Sequence, residues 1–117
     1  MEYFDKATIE DINATNTDKY YVPAELFDGV RFRLVRLEVK WAFVACLDVL
    51  RKHPLYDDED NAYLSQDEAS LPETLAAIAN KKVDQAKVDG YLNELEEAEL
   101  VERQDGRIYL RRLVSIF

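Results

Sequence analysis

The 117-residue sequence contains one cysteine, one histidine, three glycines and three prolines, and these scarcities exclude several classes of protein at once. A lone thiol, Cys46, cannot close an internal disulfide, and one histidine beside one cysteine offers no spacing that suits zinc, so the chain reads as cytosolic. Glycine is too sparse for a phosphate-cradling loop. No nucleophile stands in a pattern with a base, and no carboxylates pair on a rigid frame, so neither an enzyme nor a cofactor or metal site is expected. Long apolar runs are also missing. The longest, Trp41 to Leu47, has seven residues, where a membrane span needs about 18–20. The acidic start Met1-Glu2-Tyr3-Phe4-Asp5 lacks the basic and apolar regions of a signal peptide, so Asn13-Ala14-Thr15 is a chance match to a glycosylation sequon. The last shortage is of positive charge: 15 bases against 24 acids give −9, with a pI near 4.6, whereas a domain devoted to nucleic acid usually lies above about 9.

Hydrophobic residues at 48% and charged residues at 33% are enough for one folded core, and the length is that of a single domain. The charge is uneven. Residues 1–29 carry seven acids and two bases, 30–53 two and six, 54–68 six and none, 69–101 seven and three, and 102–117 two and four. Two basic segments are therefore hidden inside an acidic chain.

Residues 1–19 are polar and lack sustained periodicity, which predicts a flexible N-terminal arm with at most a helical turn near 7–12. Tyr20 to Val22 precede Pro23 and should be extended; Pro23 to Phe27 should form one or two helical turns ending at Gly29. Leu37 to Lys52 is the strongest helix, apolar on nearly every side and stopped by Pro54. It is expected to be central to the core, or to pack against a second subunit through Trp41, Phe43 and Leu47. An acidic loop over 53–61 and a very short strand at Tyr63-Leu64 follow. Asp57 to Glu68 mimics a calcium-binding loop, but Ala62 stands where that loop needs glycine, and a solvated acidic loop is the reading. His53 is read as a helix-end or surface residue and Cys46 as a small core residue.

Ser70-Leu71-Pro72-Glu73 has the spacing of a capping box and predicts a helix from Leu71, with Leu75, Ile78 and Ala79 inward, fading at Asn80-Lys81-Lys82. Asp84 then caps a helix bearing Val88, Tyr91, Leu92, Leu95 and Ala98 at helical spacing. After Leu100 the period becomes 2, and residues 100–104 and 107–111 flank Asp105-Gly106, a strong hairpin signal. Helix, turn, helix and hairpin in this order give the expected fold class: mainly α with a small β-hairpin wing, a winged helix-turn-helix spanning residues 20–113. The apolar end 114–117 is expected to lead into a further region.

Val22-Pro23-Ala24-Glu25-Leu26-Phe27, then Leu37-Glu38-Val39-Lys40-Trp41-Ala42-Phe43 and Leu47-Asp48, resemble the N-terminal winged-helix domain of bacterial and phage replication proteins, the DnaD-like replisome organisers and RepA-type plasmid initiators. The resemblance covers roughly residues 20–112. Val39 replaces the family's alanine, Arg36 stands near a usual Ser or Thr cap, and Glu99 stands where the second helix usually stops at glycine. It implies a non-catalytic DNA-binding domain of a replication initiator or organiser, often dimeric, with double-stranded DNA and other replication proteins as partners. A protein-interaction module and a transcription regulator are the alternatives. The second helix of such a fold enters the major groove and its wing touches the backbone or minor groove. The candidate DNA contacts are therefore Lys81, Lys82, Gln85, Lys87 and Asn93, with Arg103, Arg107, Arg111 and Arg112 on the wing. Asp89 opposes binding, and Glu94, Glu96, Glu97 and Glu99 should face solvent away from DNA. With the acidic segments opposed to it, one copy should bind duplex weakly.

Overall fold

The computed structural model describes residues 1–15 and 20–113; the expectations for 16–19 and 114–117 lie outside the described residues. Five helices, α1 (Lys6–Thr15), α2 (Ala24–Asp28), α3 (Leu37–Lys52), α4 (Ser70–Ala79) and α5 (Gln85–Glu97), accompany four short strands, β1 (Leu55–Tyr56), β2 (Ala62–Ser65), β3 (Val101–Gln104) and β4 (Arg107–Leu110). The strands form an antiparallel sheet in the order β1-β2-β4-β3. A helix-rich chain with a hairpin after α5 is compatible with the expected winged helix. Among the described residues, no helix is long and apolar enough to cross a membrane.

Helix α3 runs through the core with the predicted boundaries, and every residue from Ala42 to Arg51 is buried. An all-round apolar helix is satisfied here inside one chain: α4, α5 and the sheet surround it. Phe43 and Leu47, expected at a subunit contact, are fully buried within this core and cannot face a partner. Trp41 alone of the three reaches the surface, at 37% exposure.

The two ends of the hairpin helix pair follow local chemistry. The Asp84 carboxylate accepts from the Lys87 backbone N–H at 2.9 Å, the expected cap of α5. Asn80 ends α4 and Glu99 follows α5 in left-handed conformations, φ 54° and 60°. At the second, Leu100 N–H closes on the Leu95 carbonyl at 2.9 Å, the geometry that usually takes glycine. Asp105 and Gly106 both have positive φ, 52° and 74°, as a two-residue turn between Gln104 and Arg107 requires. The capping box does not form. Ala69 is already helical, so Ser70 lies inside the first turn, where its Oγ donates to Glu68 at 2.7 Å.

The largest departure is the N-terminal arm, which over residues 1–15 is docked. Phe4 is fully buried; its N–H donates to the Leu110 carbonyl at 3.1 Å and its carbonyl accepts from Ala62 at 2.9 Å, so the segment wedges in where β2 and β4 diverge. Ile9 and Ile12 on α1 join the core. Asn13 closes the docking: its side chain donates to the Arg51 carbonyl at 3.1 Å and accepts from Arg51 Nε at 2.9 Å. Three apolar residues among polar ones were too few to show a period.

Candidate nucleic-acid interface

Helix α5 buries Val88, Tyr91, Leu92 and Leu95 and turns the opposite face outward, with Gln85, Ala86, Lys87, Asp89, Asn93 and Glu97 exposed. Gly90 stands in that outer face, and a Cβ there would meet no atom of the chain within 4 Å. Nothing internal therefore requires glycine, which costs a helix about 1 kcal/mol relative to alanine. The centre of the face is small and the two flanks differ in charge.

On one flank Gln85 donates to Asp89 at 3.0 Å, and both border a cleft of about 380 Å³ shared with Asp67 and Glu68. That side is acidic. On the other flank lies Lys87, with Lys81 and Lys82 at the preceding turn, all exposed. Glu38, from the first turn of α3, reaches this side and accepts from the Tyr91 hydroxyl and from Lys81 Nζ at 3.1 Å. The Tyr91 bond and then the Lys81 bond hold the Glu38 carboxyl down to about 2, while burial and the donation to Glu38 push Tyr91 up to about 12. Beside it Arg36 grips Glu94 with Nε at 2.9 Å and Nη2 at 2.6 Å, and this lowers the Glu94 pKa. The loop before α3 is thus fastened to the lysine side of α5. Both carboxylates of this flank are neutralised, so Lys82 and Lys87 stand as surplus positive charge.

The wing arginines do not form one surface. Arg103 turns back onto α5, bonding Glu96 at 2.8 Å and Asn93 at 2.6 Å, so two expected DNA contacts satisfy each other and the Glu96 pKa falls. Arg111 donates from Nε to the Glu99 carbonyl at 2.8 Å. Arg112 bonds Asp5 at 2.6 Å and the Tyr3 carbonyl at 3.1 Å, clamping the N-terminal segment. Only Arg107 is exposed; it lies 4.5 Å over the Tyr63 ring and donates to Tyr109, whose hydroxyl donates to Asp57 at 3.1 Å. The sequence places four bases on one hairpin, but strand alternation and the returning N-terminus distribute them to different partners. Glu94 and Glu96, expected to be solvated, are the partners of Arg36 and Arg103 instead. Asp57 spends one carboxylate oxygen on the backbone N–H groups of Glu59 and Asn61, both at 2.9 Å, which is turn chemistry and not ion coordination.

No family model matches the sequence, and no curated protein matches it. Solved structures do match in fold. One described as "Structure of MDR initiator" aligns with TM-score 0.59 and 20% identity over 94% of this chain and 87% of that one. "N-Terminal domain of DNA binding protein" gives 0.58 and 19% over 100% and 87%, and "Structure of Rep-DNA complex" gives 0.57 and 19% over 99% and 87%. At such identities the likeness is one of backbone architecture, and it extends over nearly the whole of each chain.

Proposed function

We propose that this chain is a non-catalytic DNA-binding domain of a replication initiator, which lays the outer face of α5 in the major groove of duplex DNA. The observation that carries the reading is the asymmetry of α5: a capped N-terminal half with a small-residue centre, edged by Lys81, Lys82 and Lys87 on one side only. Lysines at such an edge neutralise phosphates, and Ala86 and Gly90 let a groove wall approach closely. The similarity in fold to an initiator, to a DNA-binding domain and to a Rep protein solved with DNA supports this reading, and stands with the initiator side of the sequence resemblance more than with the DnaD-like side. A winged-helix arrangement of the groove contact and a cytoplasmic setting belong to the same reading. The acidic flank of Gln85 and Asp89 makes binding by one copy weak and gives it one permitted orientation. The test is fluorescence anisotropy of a labelled mixed-sequence duplex of about three helical turns, roughly 30 base pairs. Binding at about 50 mM salt that weakens steeply as salt rises supports the proposal; no binding at that salt overturns it.

A second reading, self-association, is favoured by one observation. Trp41 separates two open apolar grooves, of about 200 and 230 Å³, and Leu37 beside it is 63% exposed. Sedimentation equilibrium distinguishes a homodimer from a monomer directly.

A further inference from the structure

The basic segment that precedes α3 is absorbed by neither reading. Val30, Arg31, Phe32, Arg33 and Leu34 alternate apolar and basic residues, Val35 and Arg36 follow, and the chain folds them into a tight pair of turns: Arg33 N–H donates to the Val30 carbonyl at 3.3 Å and Val35 N–H to Phe32 at 3.0 Å. Phe32 is 2% exposed and pins the loop to the core, while Val30 at 75% and Leu34 at 89% stand out into solvent with Arg31 and Arg33. A side chain of leucine exposed to that extent, beside two arginines on a short and internally bonded loop, is a pre-formed surface, in which Arg31 lies 5.4 Å over the ring of Phe32. The two arginines are the opposite of their counterparts on the wing. Among the described residues neither Arg31 nor Arg33 pairs with a carboxylate. Arg36, by contrast, two residues beyond Leu34, is bonded to Glu94 on the lysine flank of α5, where Glu38 and Lys81 also pair.

We propose that the loop 30–34 is a second nucleic-acid contact, in which Arg31 and Arg33 hold phosphates of the same duplex beside the groove occupied by α5, and Leu34 packs on a deoxyribose. The loop and the lysine flank carry six exposed bases, Arg31, Arg33, Arg36, Lys81, Lys82 and Lys87; Glu38 and Glu94 pair with Arg36 and Lys81, and the other acids nearest to them in the chain are Glu25, Asp28, Asp84 and Asp89. The acidic runs of 54–68 lie in other elements. The duplex is a polyanion with apolar sugar faces between its phosphates, and this combination of exposed arginines and exposed aliphatics suits it at the edge of a groove. The contact rests on the duplex-binding reading, since Arg36, two residues beyond the loop, is bonded to α5.

The experiment is the same anisotropy titration on the full chain, over a range of salt, with Arg31→Gln/Arg33→Gln, Leu34→Ser and Lys87→Gln. Loss of two phosphate contacts makes the slope of log K against log salt shallower by about 1.8 and weakens binding at about 0.1 M salt by at least about tenfold. Leu34→Ser weakens binding at every salt with the slope unchanged, because an apolar contact releases no counterions. These exposed substitutions leave the thermal midpoint unchanged. If wild type binds and Lys87→Gln flattens the slope while the arginine pair leaves it as it was, the loop contact is wrong and the α5 reading stands. If wild type fails to bind the duplex, both fall. If the arginine pair or Leu34→Ser alters self-association in sedimentation and leaves duplex affinity alone, the loop is a protein contact and the proposal is overturned.

Discussion

The hairpin and the two residues after it carry four arginines and the α5 flank with its adjoining loop carries three arginines and three lysines, yet the two basic regions serve different ends. On the hairpin Arg103, Arg111 and Arg112 each bond an acceptor inside the molecule, from α5, from the turn after it and from the N-terminal segment. On the flank Arg31, Arg33, Lys82 and Lys87 are exposed, and only Arg36 and Lys81 are tied to carboxylates. Arginine's planar fork suits fixed multidentate bonding to carbonyls and carboxylates, which is how the wing uses it. Basic charge available to an outside polyanion is thus decided by which acceptors the fold brings back, and not by local sequence density.

Removing the N-terminal wedge breaks the wing side most severely. Phe4→Ala empties a fully buried site between β2 and β4 and is expected to destabilise the chain by about 3–5 kcal/mol, measured by urea unfolding. An Arg112→Ala substitution removes the clamp on Asp5 and Tyr3, both partly solvent-accessible, and should cost about 1–2 kcal/mol. In the folded fraction its slope of duplex binding against salt should equal that of wild type, whereas a base of the flank would flatten it.

The smallest effect concerns acid. Glu38 has a folded-state pKa near 2, below the ordinary value of 4.5, so the stability it lends is complete above the ordinary carboxylate range and is lost as pH falls from 4.5 towards 2. The Tyr91 bond is the main cause and Lys81 the next. A Glu38→Gln chain is expected to lose less stability than wild type over that interval, read from urea midpoints across the pH series.

Much of this architecture was legible because single residues force it. Asp105-Gly106 dictated the hairpin, Asp84 the start of α5, and the unbroken apolar stretch of Leu37 to Lys52 the central helix. The capping box at Ser70 misled because its pattern does not tell whether Ala69 already has a helical backbone. The docked arm was hidden for a different reason. Phe4, Ile9 and Ile12 follow neither period strongly, and their burial depends on a gap between strands distant in sequence. Phe43 and Leu47 could not be told from interface residues, since an all-round apolar helix looks the same whether its cover is the same chain or another. In the candidate site, Lys87 could be placed by the helix periodicity of α5, and Lys81 and Lys82 by their position in the turn before it. The bonds of Arg36, Arg103 and Arg112 join residues 58, 7 and 107 positions away; the first and last connect distant parts of the chain, and no local pattern announces them.

The most direct test of the central claim is the slope of log K against log salt for duplex binding, compared between Lys82→Gln/Lys87→Gln on the flank and Arg103→Gln/Arg111→Gln on the wing. The expected slope is shallower by about 1.8 for the lysine pair and unchanged for the arginine pair once binding is referred to folded protein. A slope that flattens for the wing pair and holds for the lysine pair would contradict it.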